Sequence, residues 1–241
     1  MDYNSAYYNE DQQVGERCFF DDKDVYVDFN ADLKSFSFNP GELNTDFRVS
    51  VGVESLTLYQ NDDDPAELIL EFYVGGPSYE AVQTNISGLL LAAKECVIRK
   101  QGDIFEYAAL LTDRKSEDTG VEPYYLVTCT FAAVRRKPLR VLSIESNAAI
   151  YNDGNQESGV RIVFVPKKDM SSFTIMGITI ENLKKDISYA IDGISGKVTA
   201  DGVNYFAHTD LINFPKVLPG KNEIVMSEPM SVTISFYPVF S

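Results

Sequence analysis

The chain has no tryptophan, one histidine and three cysteines among 241 residues. Each shortage removes a class of function. A catalytic triad or dyad would need His208, the lone imidazole, beside a serine or cysteine and an orienting carboxylate. His208-Thr209-Asp210 reads instead as a loop without a nucleophile elbow. Cys18, Cys96 and Cys129 form no Cys-x-x-Cys pair, so zinc would have to rest mostly on carboxylates. An odd, sparse cysteine set makes no disulfide framework either. Cys96 and Cys129 sit in apolar strand-like runs and read as buried free thiols. Without tryptophan, a sugar-binding surface loses its strongest stacking platform. No apolar run approaches the length of a membrane span. The opening MDYNSAYYNEDQQ has neither the basic nor the apolar region of a secretion signal, which fits folding in a reducing cytoplasm. Without such a signal, the sequon Asn85-Ile86-Ser87 reads as chance.

What is present favours sheets. Hydrophobic residues make up 44% of the chain, enough to exclude wholesale disorder, and 14 Tyr and 15 Phe suit pleated surfaces. The net charge is −15, and it is uneven: residues 1–64 hold 15 acidic and 4 basic side chains, residues 65–241 hold 21 and 17. A field of this sign repels phosphate, so no nucleic-acid partner is expected. Asp21-Asp22-Lys23-Asp24 and Asp62-Asp63-Asp64 could offer calcium oxygens, but neither has the glycine-centred twelve-residue loop, and both read as solvated turns. Val74-Gly75-Gly76-Pro77 precedes a helix as phosphate loops do, yet it lacks the Lys-Ser/Thr ending. A glycosidase pair of carboxylates meets only in space and leaves no motif. No catalytic, cofactor-binding or metal-binding residue is assigned, and the chain reads as a non-enzyme without cofactors.

Along the chain, residues 1–24 form an acidic, tyrosine-dotted leader, with 1–17 read as a flexible arm. Strands are expected at Val25–Phe29, Ser35–Phe38, Phe47–Val53, Ser55–Tyr59 and Glu67–Val74, with loops at Asn39-Pro40-Gly41 and Asn61–Pro65. One helix is expected over about 79–94, capped by Ser78, with Val82, Ile86, Leu89 or Leu90 and Ala93 as its apolar stripe. Gly88 in that stripe costs roughly 1 kcal/mol against alanine, which a packing contact needing no side chain would justify. Cys96–Arg99 and Ile104–Leu111 flank a Gln101-Gly102-Asp103 turn as a hairpin, Arg114–Val121 reads as a charged loop, and Tyr124–Val134 is a long strand. Arg135-Arg136-Lys137-Pro138 then reads as a solvated domain linker, since those cations lack interleaved aromatics. Beyond it lie short strands at Leu139–Glu145, Val160–Val165, Ser172–Ile175, Ile178–Ile180, Ile187–Ile191, Lys197–Thr199, Asn204–Phe206, Glu223–Val225 and Ser231–Phe236. Gly turns separate them, among them Asp192-Gly193 and Asp201-Gly202, and the spacing indicates a sandwich or barrel.

Several ordered stretches carry a family resemblance. ELILEFYVGGPSYEAVQTNISGLL, AAKECVIR and GDIFEYAALL in the first half, then FTIMGITI, ISYAIDGISGKV, NFPKVLPGKNEI and VTISFYPVF in the second, resemble the distal tail proteins of long-tailed phages across roughly residues 67–241. The family's opening strand has no counterpart in the acidic leader. The resemblance implies a mainly β fold: a ring-forming β-sandwich with one packed helix over 25–137, and a galectin-like β-sandwich over 138–241 whose last strand can return to the ring domain. It implies a structural baseplate hub, a six-subunit ring joining the tail tube protein to the tail-tip hub protein and to receptor-binding or other baseplate proteins. The ring would be synthesised and assembled in the host cytoplasm and reside at the tail tip of the virion. The alternatives are a tail-tube or other baseplate ring protein, or a carbohydrate-binding β-sandwich module.

Overall fold

The computed structural model describes residues 16–41, 43–48, 57–63, 66–121 and 123–241. The fold is mainly β, with antiparallel sheets and two α-helices. It divides into two compact units at Arg135/Arg136.

The first unit contains β1 (Cys18–Phe20), β2 (Lys23–Asp24), α1 (Val25–Phe29), β3 (Ala31–Asn39), β4 (Leu43–Arg48), β5 (Thr57–Asp63), β6 (Ala66–Val74), α2 (Tyr79–Ala92), β7 (Glu95–Lys100), β8 (Glu106–Asp118) and β9 (Tyr125–Arg136). Its main sheet runs β2-β1-β7-β8-β9-β6-β3, and β4 pairs with β5 apart from it. Strand alternation sets the layers: Leu68, Leu70 and Phe72 of β6 and Val127, Cys129 and Phe131 of β9 turn to one buried face. Val82, Ile86 and Leu89 of α2 are buried in the same core cluster, as the apolar stripe requires. Ser78 caps that helix, its hydroxyl accepting from the Ala81 N–H at 3.3 Å. Gly88 meets Phe29: a Cβ there would lie 3.1 Å from the ring, so the glycine is where two helices touch.

Four expectations fail here. Val25–Phe29 is helix, not strand. Asp24 Oδ1 accepts from the Tyr26 and Val27 amides, Asn30 closes the turn at φ 47°, and Val25 and Phe29 bury one i, i+4 face. The leader does not run to residue 24 as an arm, because Cys18 and Phe20 enter the core, Phe20 meeting Phe72 and Phe131 edge-on at 5.9 and 6.1 Å. Residues 1–15 lie outside the described residues. The charged stretch from Arg114 continues β8 to Asp118, paired beside β9, with Thr112 Oγ1 donating to the Thr130 carbonyl. The expected loop at Asn61–Pro65 begins as strand, since β5 runs to Asp63. Its last two residues lie outside the described residues, as do 49–53 of the strand expected at Phe47–Val53 and 55–56 of the next.

The second unit contains β10 (Arg140–Ile144), β11 (Ala148–Asn152), β12 (Ser158–Phe164), β13 (Met170–Ile175), β14 (Ile178–Leu183), β15 (Tyr189–Asp192), β16 (Lys197–Ala200), β17 (Val203–Asn204), β18 (Lys216–Val217), β19 (Gly220–Ile224), β20 (Val232–Phe236) and β21 (Val239–Phe240). One sheet runs β10-β20-β12-β15-β16-β17, with β18 also on β12; β11-β19 and β13-β14 are separate pairs. Ile162, Phe164, Phe173, Ile180, Ile191, Ile224 and Ile234 share one core drawn from all of these pairs. Asp201 and Gly202, at φ 45° and 80°, join β16 to β17 as the positive-φ two-residue turn that Asp-Gly favours. Asp192-Gly193 does something else. Asp192 Oδ1 accepts from the Ile194 and Ser195 amides in a longer loop, and a Cβ on Gly193 would lie 2.4 Å from the Pro215 carbonyl oxygen. Asn204–Phe206 is strand only to Asn204, and a 3₁₀ turn takes Phe206–His208.

Candidate functional site

Residues whose types suit chemistry have structural duties. His208 is exposed at the end of the 3₁₀ turn, its ring stacked on Tyr205 at 4.3 Å, while the Tyr205 hydroxyl donates to the Glu181 and Asn182 carbonyls. Cys18, Cys96 and Cys129 are free and buried in the first unit. Burial pushes each thiol up to about 12, so all three are protonated at neutral pH and are poor nucleophiles. In the Asp21–Asp24 cluster, Asp21 accepts from the Val97 amide at 2.9 Å, Asp22 pairs with Arg99, and Asp24 caps α1 and pairs with Arg17 at 3.0 Å. Among the described residues no group of three or more His, Cys, Asp or Glu could share a metal ion. Gly75 leaves room for a ring, since a Cβ would lie 2.6 Å from Tyr124 Cε1, and its carbonyl accepts from Asn85 Nδ2 at 2.9 Å. The sequon asparagine is therefore tied to the backbone.

The Arg135–Lys137 cations are not a solvated linker. The Arg135 guanidinium lies over Phe38 and Phe105, 4.6 and 5.0 Å from the ring centres, and Arg136 lies 3.6 Å from the centre of Tyr237. Lys137 pairs with Asp153 and faces the Phe240 ring at 5.3 Å. The rings come from distant positions, so the local sequence shows cations without aromatics. Cation–π contacts of this kind contribute about 0.5–1 kcal/mol each where exposed.

The described surface carries several hollows. In the first unit a hollow of about 690 Å³ opens over β7, β8 and β9, where Ala108, Ala109, Ala132 and Ala133 are too small to fill it, with Leu110 and Val134 exposed at its margin. Two smaller hollows lie along α2. One, of about 410 Å³, is lined by Ile86, Leu90, Leu91, Lys94 and Arg114. The other, of about 260 Å³ at the opposite end of the helix, is lined by Tyr79, Val82, Asp118, Pro123, Tyr124 and Tyr125. The second unit has a hollow of about 460 Å³ bordered by Lys167, Lys168, Met170, Glu228 and Met230, with Lys168 and Glu228 paired at 3.1 Å. Charged side chains border each hollow: Asp21 and Glu95 the first, Lys94 and Arg114 the second, Asp118 the third, and Lys167, Lys168 and Glu228 the fourth. None brings together a nucleophile, a base and an oxyanion donor in the way the sequence motifs would require.

No protein-family model matches the chain, and no curated protein does. Solved structures do match. The SPP1 Dit protein, described as a paradigm of the hub adsorption apparatus in phages that infect Gram-positive bacteria, aligns over 94% of this chain and 99% of its own at a TM-score of 0.72 and 13% identity. A chain of the phage P2 baseplate in its activated conformation with calcium aligns over 93% and 98%, at a TM-score of 0.54 and 13% identity. Its strontium counterpart aligns over 92% and 97%, at 0.54 and 12%. At this identity the likeness is one of fold. Over nearly its whole length, the chain has the fold of a phage distal tail hub protein.

Proposed function

We propose that the chain is a structural protein of a phage tail tip, a distal tail subunit that closes into a six-membered ring between the tail tube and the host-attachment proteins. One observation carries the reading. The likeness to the SPP1 hub protein spans 94% of this chain and 99% of that one, so it takes in both units.

In this reading the work is noncovalent. Identical contacts repeat around the ring, so each can be modest while the closed assembly is stable. The first unit supplies the ring contacts; its hollows on the sheet and beside α2 support that division. The second unit, as a galectin-like sandwich, holds receptor-binding or other baseplate proteins and takes no part in catalysis. The protein's place is the virion, after synthesis and assembly in the host cytoplasm.

The test is the mass and shape of the purified full chain. Light scattering is expected to give six copies, and negative-stain images a six-fold ring of limited height. Long stacks would identify a tube subunit instead, and a monomer with a saturable sugar site would identify a glycan-binding module.

A further inference from the structure

The outer part of β8 carries a charge pattern left unsatisfied among the described residues. Arg114, Lys115, Glu117 and Asp118 are all exposed. In a strand, residues two apart share a face, so Lys115 and Glu117 point one way and Arg114 and Asp118 the other. On the first face the charges meet, with Lys115 Nζ 2.6 Å from Glu117. On the second face they cannot, because four residues along a strand are about 13 Å. Arg114 makes no ion pair among the described residues. Among the described residues, Asp118 accepts a bond from the Gly120 amide at 2.8 Å and pairs with no cation.

Each of these unpaired charges lines a hollow along α2. Arg114 and Lys94 lie at the hollow that takes in the C-terminal half of α2, beside Leu91, which is 66% exposed. Cations at that end also complement the helix dipole. At the other end Asp118 shares its pocket with Tyr79, Tyr124 and Tyr125. The Tyr79 and Tyr125 rings stand 6.4 Å apart at 61°, a corner rather than the flat platform a sugar ring would take. Tyr124 is fixed in place: its N–H donates to the Val121 carbonyl at 2.9 Å, its carbonyl accepts from Thr119 Oγ1 at 2.7 Å, and its ring fills the space Gly75 leaves. Ring faces beside a carboxylate make a seat for a guanidinium or ammonium group. One end of this face supplies such a group and the other receives it.

We infer that the face formed by α2 and outer β8 is a head-to-tail contact between neighbouring copies, with Arg114 of one copy seated in the Tyr79–Tyr124–Tyr125 corner of the next, against Asp118. The inference rests on the ring reading, because a two-fold pair could satisfy the same charges but would close at two copies. The occupant is a second copy because donor and acceptor are complementary ends of one surface.

The experiment compares the mass of the full chain with that of Arg114→Asp, Asp118→Arg and the double swap. Both positions are exposed, and unchanged circular dichroism verifies folding. Each single reversal puts like charges together and is expected to raise the dissociation constant of the contact by at least about tenfold. The double swap restores opposite charges across every contact and is expected to return the assembly. If the wild-type ring forms and the single variants assemble equally well, this contact is overturned while the ring reading stands. A double swap that stays apart, or a wild-type particle that stops at two copies, overturns the head-to-tail pairing. A wild-type chain that is monomeric at every concentration overturns both.

Discussion

The two units are built from similar strands and differ in how charge is used. Residues 1–135 hold 25 acidic and 10 basic side chains, whereas residues 136–241 hold 11 of each, so the whole net charge of −15 belongs to the first unit. In the second unit opposite charges meet repeatedly, as in Lys184–Asp169 at 3.0 Å, Lys168–Glu228 at 3.1 Å and Lys137–Asp153. Both units mix near and distant pairings. Adjacent strands of the second unit are joined by tight positive-φ turns at Met176-Gly177 and Asp201-Gly202. The first unit inserts β1 beside β7 and β6 between β3 and β9, pairings that close long stretches of chain. The second unit is electrically neutral, and it too closes long stretches of chain, pairing β10 with β20 and β11 with β19. The first unit carries the whole surplus of negative charge, and like charges on one compact body repel each other.

The strongest way to break that comparison is to empty one core. Phe131 and Phe164 are buried in separate clusters, and Phe131→Ala or Phe164→Ala is expected to cost about 3–5 kcal/mol. Hydrogen exchange read by mass spectrometry should show lost protection within residues 66–135 for the first variant and within 136–241 for the second. Equal loss across both regions would mean that the two cores do not stand independently.

Alkaline pH should separate the units next. Folding favours the protonated form of Cys18, Cys96 and Cys129, because burial raises each thiol from 9.0 to about 12. That contribution is whole below pH 9 and is lost as pH rises toward 12. Tyr107 adds to the effect, its hydroxyl pushed up by burial and by its bond to Asp103. The second unit has no cysteine, although burial also raises Tyr205 there. Exchange at rising pH is expected to open residues 16–135 before 136–241, and thiol reagents should not label the folded chain at pH 8. Labelling without unfolding would show that the thiols are not shielded.

The contrast between near and distant contacts, present within each unit, explains what the sequence disclosed. The Asp-Gly turn at 201–202, the Ser78-capped helix and the Gly102 hairpin turn are local devices, and their residues name them. The ordered stretches of residues 67–241 likewise suffice to suggest a distal tail fold that the aligned structures share at only 13% identity. What stayed hidden depends on partners far along the chain. VYVDF alternates like a strand, and only Asp24 and Asn30 at its ends signal the helix. The rings that cover Arg135 and Arg136 sit at Phe38, Phe105 and Tyr237. The tyrosine pocket draws on α2, β8 and β9 together, and Asp118 reads in sequence as part of a charged loop. A four-residue Arg–Asp spacing on a strand was the available signal, and it has meaning only once that stretch is known to be a strand.

The smallest effects sharpen the comparison because one substitution tests two physical causes. Gly202 in the second unit sits at φ 80° with nothing near its missing Cβ, so its cause is backbone freedom. Gly202→Ala is expected to lower stability by about 1 kcal/mol. Gly88 in the first unit has helical backbone, so its cause is space. Alanine there gains about 1 kcal/mol of helix propensity. Against this, its Cβ would sit 3.1 and 3.2 Å from Phe29 Cδ1 and Cε1. Phe29 is 8% exposed and held on a five-residue helix, so its ring must shift by a few tenths of an ångström within a filled core. The two terms oppose, and Gly88→Ala is expected to fall within about 0.5 kcal/mol of the parent in denaturant unfolding. A gain of the full propensity would mean that Phe29 moves freely and that the two helices of the first unit touch without constraint.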